Sequence, residues 1–590
     1  MDRKNTINAG PDSGTRPRRA ARVARTPRVR RAGLAAVAAG SVAGALFMAA
    51  PAFAGAASHH TAGFSNRAGA GAGYSFTTLD NQADPTFNQL LGINNNDVIS
   101  GYFGSGDPGH PNQGYLLSPP YGQPNYTSEN FPGSAQTQVT ALNNLGDTAG
   151  FWVNGKNTNR GFVEWNGAFT SYTDPETPHT AGSVNQILGI NDAGTAVGFY
   201  NDASGNAHAY KLNQATGQFT AIKVPAKSAT ATGINNNGDI VGFAGPTGSA
   251  FTWLLHAGHL TTLQFPGGSN TQAFGVNFRD QIVGSYTDGS GTSHGFVLSN
   301  PMGPKSHWTT IDDPHGVGST VVNGINNAGD LVGFYADSAG DTHGMLGTPN
   351  TVHVTLTAMP AGTVAVGQDS SGNLTATPKM FGLTPGSAHS VVLEGPSGGT
   401  PLAQFGTLTA SGVGQASATL DSAFSGSVPS GSRLEILNGT ASDSVSTEPI
   451  AETPPLSGSI SGMAFHLISV EVGASGTSWG NPHGKATISY DPAAQTLSVT
   501  VNAGGVTPGM HAAHVHLGSC QSQGGVQYML MDFVANSQGQ IINEHRTVTG
   551  VTTPIPAIGW YLNLHQGTSQ TILQDGQPTI AFRPLLCAGV

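Results

Sequence analysis

The chain has 590 residues, and its 23 Lys or Arg and 33 Asp or Glu residues give a formal net charge of −10. Only 9% of its residues are charged, against about 25% in ordinary soluble domains. The 83 glycines and 36 prolines indicate short strands joined by tight turns. Ten of the basic residues lie within the first 31, so the remaining chain is acidic and has no basic patch for phosphates. This charge pattern argues against nucleic acid as a partner.

The N terminus has the pattern of an export signal. The basic segment is followed by an apolar run over 32–50 and by Ala52-Phe53-Ala54, a small-residue cleavage site. We therefore predict a signal peptide over residues 1–54 and a Gly/Ala-rich linker over 55–72. The pair Arg30-Arg31 leaves the twin-arginine route open beside the general secretory route. No later segment is long and apolar enough to span a bilayer, so we expect a secreted or cell-envelope protein without a membrane span.

Residues 73–349 contain six copies of one pattern, for example LGINDAGTAVGFY and NGINNAGDLVGFY. The leading asparagines of the copies lie 42 to 49 residues apart, which is the size of a four-stranded propeller blade. These asparagines are Asn94, Asn143, Asn191, Asn235, Asn277 and Asn326. Alternating strands bounded by Asn/Gly/Asp turns are typical of hairpins. The segment therefore predicts a six-bladed β-propeller-like domain.

The repeat resembles the HAF-type extracellular repeat, whose His-Ala-Phe strand is matched here at His208, His294 and His343. The resemblance implies an extracellular protein but no particular activity. We interpret these histidines as packing or turn residues. We also interpret the Asn-rich turns as self-bonded turns and not as calcium loops, because no copy supplies a closing bidentate Glu.

After the repeats, Thr/Val-rich strands with Gly-Pro turns favour two tandem antiparallel β-sandwich or Greek-key domains over 350–452 and 459–590. The Pro-containing segment 453–458 is the predicted linker between them. The two domains look like copies of each other, although the first copy lacks the histidine pair described next. The fold class is thus all-β throughout.

The segment GMHAAHVHLGSC, residues 509–520, carries most of the chemistry in the sequence. Alternation along a strand places His514 and His516 on one face, where both imidazoles can reach one metal ion. His565 follows in GWYLNLHQG, beside Trp560 and Tyr561, which are candidates to line a site. The His-x-His pair taken alone also fits polar histidines on an exposed sheet face.

This segment resembles the copper/zinc superoxide dismutase family and its relatives. The resemblance implies that His514, His516 and His565 are copper ligands and that His511 is a structural residue. It also implies that Arg583 is a catalytic, substrate-guiding residue, although Arg583 lies one position away from the family's arginine. Cys520 would pair with Cys587, and a disulfide is also what an exported chain with two cysteines favours.

The departures from that family concern zinc. Where the family has a zinc loop, this chain offers only Asp532 and His545, so we expect copper and no zinc. GWYLNLHQG also resembles the CHRD domain, a related secreted β module without established redox chemistry.

Two functions follow from these patterns. The first is a copper-binding, dismutase-like domain with superoxide as its substrate. The alternative is a non-catalytic extracellular binding or adhesion protein, in which the propeller binds a glycan or protein and both sandwiches are structural.

Overall fold

The computed structural model describes residues 73–246, 249–398, 400–440, 448–472 and 478–590. The predicted signal peptide and linker lie outside these ranges. The described residues form 46 strands and two 3₁₀ helices, Gln123–Asn125 and Ile580–Phe582. None of the described helices is long and apolar enough to cross a membrane. The all-β prediction is therefore confirmed, with a six-bladed propeller followed by two near-closed antiparallel sheets.

Each of the first five blades is a four-stranded antiparallel meander whose innermost strand comes first in the chain. The strands are β1 (Tyr74–Thr78), β2 (Asn88–Ile93), β3 (Ile99–Phe103), β4 (Gln113–Leu117), β5 (Tyr126–Ser128), β6 (Gln136–Leu142), β7 (Thr148–Val153), β8 (Asn159–Trp165), β9 (Ala168–Tyr172), β10 (Asn185–Ile190), β11 (Thr195–Asn201), β12 (Ala207–Asn213), β13 (Gln218–Ala221), β14 (Ala229–Ile234), β15 (Ile240–Ala244), β16 (Phe251–His256), β17 (His259–Leu263), β18 (Ser269–Val276), β19 (Ile282–Thr287), β20 (Ser293–Ser299), β21 (His307–Ile311), β22 (Thr320–Ile325), β23 (Leu331–Ala336) and β24 (Thr342–Pro349). The sixth blade takes its outermost strand from the start of the domain, because β1 pairs with β24. This pairing closes the ring.

The repeated Gly-Ile-Asn motif builds the hub of the propeller. A Cβ atom on Gly233 would lie 2.9 Å from the carbonyl oxygen of Phe274 and 3.1 Å from the Cα of Gly275 in the next blade. Glycine is therefore required there by the close approach of neighbouring innermost strands. Asn235 then joins the blades, because its Nδ2 donates to the carbonyl oxygen of Asn277 at 3.0 Å.

The hub asparagines also close their own turns. The Oδ1 of Asn235 accepts the backbone N–H groups of Asn237 at 3.0 Å and Asp239 at 2.9 Å. This is the self-bonded turn that the sequence favoured over calcium loops.

The repeat histidines pack as expected. His343 bonds Asp80 through Nδ1 at 2.7 Å, and its ring lies beside Tyr335 with 5.2 Å between centroids.

The remaining strands form two larger antiparallel sheets and two short hairpins. They are β25 (Thr351–Ala358), β26 (Ala361–Gln368), β27 (Asn373–Phe381), β28 (Ala388–Glu394), β29 (Ala403–Thr409), β30 (Ala416–Ser417), β31 (Leu420–Ser425), β32 (Val428–Leu437), β33 (Pro449–Glu452), β34 (Leu456–Gly458), β35 (Ala464–Ser469), β36 (Glu471–Val472), β37 (Ser478–Gly480), β38 (His483–Asp491), β39 (Thr496–Gly504), β40 (Gly509–Ser519), β41 (Ser522–Ala535), β42 (Ile541–Thr549), β43 (Trp560–His565), β44 (Leu573–Gln574), β45 (Gln577–Pro578) and β46 (Pro584–Gly589). We call the sheet of β26 to β35 the middle domain and the sheet containing β38 to β43 the C-terminal domain.

Strand pairing crosses the predicted boundaries at 350 and 459. The order of the C-terminal sheet is β41-β40-β43-β46-β25-β38-β39-β42. It includes β25, which precedes the middle domain in the chain. Conversely, β35 lies after residue 459 but pairs with β26 and β33 of the middle domain. The middle domain is therefore an insertion between the first and second strands of the C-terminal sheet.

The C-terminal sheet has one apolar core, formed by residues such as Leu356, Ile488, Val515 and Leu562. The two ends of its strand path meet where Arg546 Nε donates to the carbonyl oxygen of Asp532 at 3.0 Å. This near-closure leaves one face of β40 and β43 turned toward the core and the other turned outward. The three predicted metal-ligand histidines, His514, His516 and His565, lie on that outward face.

Candidate metal centre

The strand β40 places two histidines on its outward face. Ala513 and Val515 belong to the core, so the alternating residues His514 and His516 point away from it. Both are nevertheless buried, with exposed fractions of 2% and 1%. Ordinary exposed sheet-face histidines would be accessible to water, and that interpretation is therefore wrong for this pair.

The neighbouring strand β43 supplies the third histidine. Val515 pairs with Leu562 and His514 with Asn563, which brings His565 beside the pair from the end of β43. His565 is 0% exposed. One ligand nitrogen from each of the three histidines lies within 4.8 Å of the others, and this is the one such group of three or more metal-ligand side chains among the residues described.

Hydrogen bonds identify which nitrogen of each ring is free. His565 Nδ1 lies 2.6 Å from the carbonyl oxygen of Phe582, which can only accept, so Nδ1 carries the proton and Nε2 keeps its lone pair. By the same argument His516 donates through Nδ1 to Gly524 at 3.1 Å. Its Nε2 is buried without a hydrogen-bond partner.

His514 completes the set through its other nitrogen. Its Nδ1 lies 3.1 Å from His565 Nε2, which has just been assigned as an acceptor. In the metal-free site His514 Nδ1 must therefore donate, and a cation would replace that proton. The three available ligand atoms are thus Nδ1 of His514, Nε2 of His516 and Nε2 of His565. An unpaired buried nitrogen beside two others fits a metal ion.

The surroundings keep the imidazoles neutral. The pKa of His514 is lowered to about 4, mainly by burial and in part by the neighbouring His516, while Asp532 opposes the shift. Burial also lowers the pKa of His565 to about 3, again with a contribution from His514. The pKa of His516 is lowered by burial and raised in part by its bond to Gly524. Neutral imidazole is the form that binds metals.

Aromatic rings cover the cluster. Tyr561 stacks on His516 with 4.9 Å between ring centroids, and the ring of Phe582 lies 4.6 Å from that of His565. Burial raises the pKa of the Tyr561 hydroxyl to about 12. Trp560, by contrast, packs in the core. Of the two aromatic candidates in the sequence, Tyr561 lines the site and Trp560 does not.

His511 lies close to the cluster but offers it no free nitrogen. Its Nδ1 bonds the carbonyl oxygen of His565 at 3.0 Å and its Nε2 bonds that of Thr507 at 2.7 Å. The middle domain has an equivalent brace, where His389 Nδ1 bonds the carbonyl oxygen of Leu437 at 2.9 Å. Each domain thus uses a buried histidine to tie two paired strands together, β40 to β43 in the C-terminal domain and β28 to β32 in the middle domain.

The two cysteines form a disulfide, Cys520–Cys587, with 5.9 Å between their Cα atoms. It links the end of β40 to β46, next to the strand that carries His565. Cys587 also packs against Tyr561, which stacks on His516. The crosslink therefore holds the strands behind the histidine cluster in place.

Arg583 is buried, with an exposed fraction of 2%. Its Nε donates to Gln566 Oε1 at 3.4 Å. The pKa of His389 in the middle domain is lowered by burial, with a smaller contribution from the charge of Arg583. The guiding role that the resemblance implies for Arg583 stays a prediction.

The two zinc-loop candidates lie apart. His545 is on β42 and bonds Thr500 Oγ1 at 3.0 Å, on an exposed face of the barrel. Asp532 is buried on β41 near His514, and its carboxylate accepts the backbone N–H of Ser569 at 3.1 Å. Of the two, only Asp532 belongs to the surroundings of the cluster.

Comparison with known proteins places one family within the chain. Residues 467–571 match the CHRD domain, so the C-terminal region contains a CHRD domain that carries all three histidines. No curated protein matches the sequence.

Solved structures resemble the chain only loosely. TolB from Acinetobacter baumannii is 11% identical with a TM-score of 0.31, and the match covers 45% of this chain and 66% of TolB. A triple arginine-to-alanine mutant of AofleA from Arthrobotrys oligospora is 14% identical with a TM-score of 0.27, and the match covers 52% of this chain and 86% of AofleA.

Proposed function

We propose that the C-terminal domain binds one copper ion through His514 Nδ1, His516 Nε2 and His565 Nε2, in a secreted or cell-envelope protein. The observation that carries the proposal is the buried, unpartnered Nε2 of His516. Leaving a buried polar atom unpaired costs about 1–3 kcal/mol, and a cation shared with two neutral imidazoles would remove that cost. Imidazole suits both copper and zinc, so metal analysis must decide between them.

The residues around the cluster define what the site can do. Bound copper would supply one-electron chemistry, and superoxide is the substrate that we propose. His516 and His565 are fixed by carbonyl hydrogen bonds, so their free nitrogens are already oriented. Because the three rings are at most 2% exposed, only a very small molecule could approach the ion.

The test is copper loading of the full chain with its disulfide intact. We expect one equivalent of Cu(II) and an electron paramagnetic resonance spectrum with nitrogen hyperfine structure. H516Q should remove one nitrogen ligand and weaken copper binding on the order of tenfold or more. H545A is the matched control, because His545 lies on the same domain outside the cluster. Equal copper binding by both variants would overturn the proposal. If the chain binds one equivalent of zinc and no copper, the cluster is a zinc site and the copper assignment is wrong.

The alternative is an extracellular binding protein whose propeller takes a glycan or protein. The observation that favours it is the polar end of the hub, where amide side chains such as Asn95, Asn144 and Asn327 surround the central opening. This function makes no use of copper. Equal glycan or protein capture by the propeller with and without copper, together with no superoxide consumption, would support it.

A further inference from the structure

The methionines of the C-terminal domain lie in an unusual place. Residues 471–590 contain three, Met510, Met529 and Met531. They are 52%, 65% and 72% exposed, and the main apolar core of the domain contains no methionine. The buried Met359, just after β25, packs separately against Tyr561 and Cys587. Methionine is ordinarily among the buried residues. All three lie on β40 and β41, the first of which carries His514 and His516.

Strand register places Met529 next to the histidine cluster. Met529 on β41 pairs directly with His514 on β40. Directly paired residues of an antiparallel sheet have side chains on the same face, with Cβ atoms about 4.5–5.5 Å apart. The neighbours of Met529, Tyr528 and Leu530, turn toward the core, which confirms that Met529 turns outward.

A β-bulge adds Met531 to this face. Leu530 and Phe533 both belong to the core although two residues separate them, and the register shifts at this point. The two residues between them, Met531 and Asp532, therefore lie in the bulge. Arg546 holds the bulge through hydrogen bonds to the carbonyl oxygen of Asp532. Bulges commonly re-aim side chains beside functional sites.

Met510 joins the group from β40. Along β40, Met510 is four residues from His514 and six from His516, so its side chain is on the same outward face as theirs and opposite to that of His511. Three thioethers thus lie on the exposed continuation of the face whose buried part holds three imidazoles. We call Met510, Met529 and Met531 the methionine rim.

We propose that the methionine rim is a binding site for monovalent copper that loads the histidine cluster. Thioethers are soft ligands that select Cu(I), and the long flexible methionine side chain can move with the ion. Transfer is a ligand exchange in which Cu–S bonds break as Cu–N bonds form, with no change in oxidation state. The loading step rests on the proposed copper function, whereas binding at the rim does not.

The experiment uses the full chain labelled with ¹³C at the methionine methyl groups and titrated with Ag(I), a redox-stable substitute for Cu(I). Met302 and Met463 are the internal controls, since they are 52% and 49% exposed but lie elsewhere. We expect the NMR signals of the rim methionines to shift at one equivalent while those of the two controls stay in place. Equal shifts at all five methionines, or none at the rim, would overturn the proposal.

Two variants separate the rim from the cluster. M529L/M531L should bind Ag(I) on the order of tenfold more weakly and load Cu(I) more slowly, yet hold Cu(II) as the native chain does. M302L/M463L should behave as native. In H514A/H516A the rim should still respond to Ag(I) although copper is no longer retained. If the rim methionines do not shift with Ag(I) but the native chain binds Cu(II), the rim proposal alone is refuted. If the rim methionines shift but the native chain binds no Cu(II), the proposed copper site at the cluster alone is refuted.

Discussion

Thr357 Oγ1 donates a hydrogen bond to the carbonyl oxygen of Cys587 at 3.1 Å, across 230 residues of chain. The bond belongs to the pairing of β25 with β46, and the other edge of β25 pairs with β38. The first strand after the propeller thus completes the domain that ends the chain. Disulfide, histidine cluster and β25 form one structural unit.

A fragment of residues 459–590 should therefore fail to fold cooperatively. It lacks β25, whose Leu356 is 1% exposed in the core, and it would leave the edges of β38 and β46 unpaired. A fragment of residues 350–590 contains the missing strand and should show a single cooperative urea transition by circular dichroism. Equal transition midpoints for the two fragments would contradict the insertion topology.

Loss of the disulfide should destabilise the C-terminal domain. Cys520 and Cys587 are 67 residues apart, and closing a loop of that length stabilises by about 4 kcal/mol in the chain-entropy model. We expect C520S/C587S to lower the free energy of unfolding by roughly that amount in a urea titration of the 350–590 fragment. T357V, which removes one side-chain hydrogen bond, should cost only about 1 kcal/mol. An unchanged midpoint in the double serine variant would contradict this role of the crosslink.

The propeller could be predicted from the sequence because each repeat contains the same turn residues, which makes the repeat length visible. The asparagine of Asn235 recurs in all six copies, and the glycine of Gly233 recurs in five, with Ala141 in the second copy. The glycine allows the close approach of neighbouring blades and the asparagine closes the turn, so each role depends on a single residue. The sequence predicted the histidine cluster from strand alternation at His514 and His516 together with the resemblance. Both kinds of signal are local or motif-based.

The features that sequence reasoning missed depend on long-range pairing. The place of β25 in the last sheet follows from contacts across more than 100 residues, for which the segment 351–358 has no local signature. The methionine rim was missed because Met529 and Met531 fall on either side of Leu530, so they look like part of one apolar run. Only the observed register shows that Leu530 faces the core while its neighbours face solvent.

Substitution of a hub asparagine should loosen the propeller. Asn235 accepts two backbone N–H groups and donates to the next blade, so N235A leaves several buried groups unpaired. We expect a cost of roughly 1–3 kcal/mol in the propeller's unfolding free energy. Asn237 lies on the same turn but is exposed, so N237A is the control and should change stability by less than about 0.5 kcal/mol. Thermal denaturation of both variants checks this, and equal losses would contradict the hub's role.

Acid should destabilise the metal-free C-terminal domain. The pKa values of about 4 for His514 and about 3 for His565 lie below the ordinary value of 6.5. Between pH 6.5 and 4 the unfolded chain binds more protons than the folded one, so the free energy of unfolding falls as the pH falls through this window. Above pH 6.5 these groups contribute no pH dependence. The lowered pKa of His514 alone corresponds to about 3 kcal/mol across this window.

Hydrogen exchange of peptides from β40 and β43 at pH 7.5 and 5, corrected for intrinsic rates, measures this effect. We expect protection to drop at pH 5 in the native chain and in H545A, and to drop less in H565Q, which removes one of the titrating groups. A bound metal should steepen the loss, since protons compete with the ion for the imidazole nitrogens. Equal protection at both pH values in the metal-free native chain would contradict the neutral, buried state assigned to the cluster. If protection in H565Q drops by as much as in the native chain, the groups that titrate lie outside the histidine cluster.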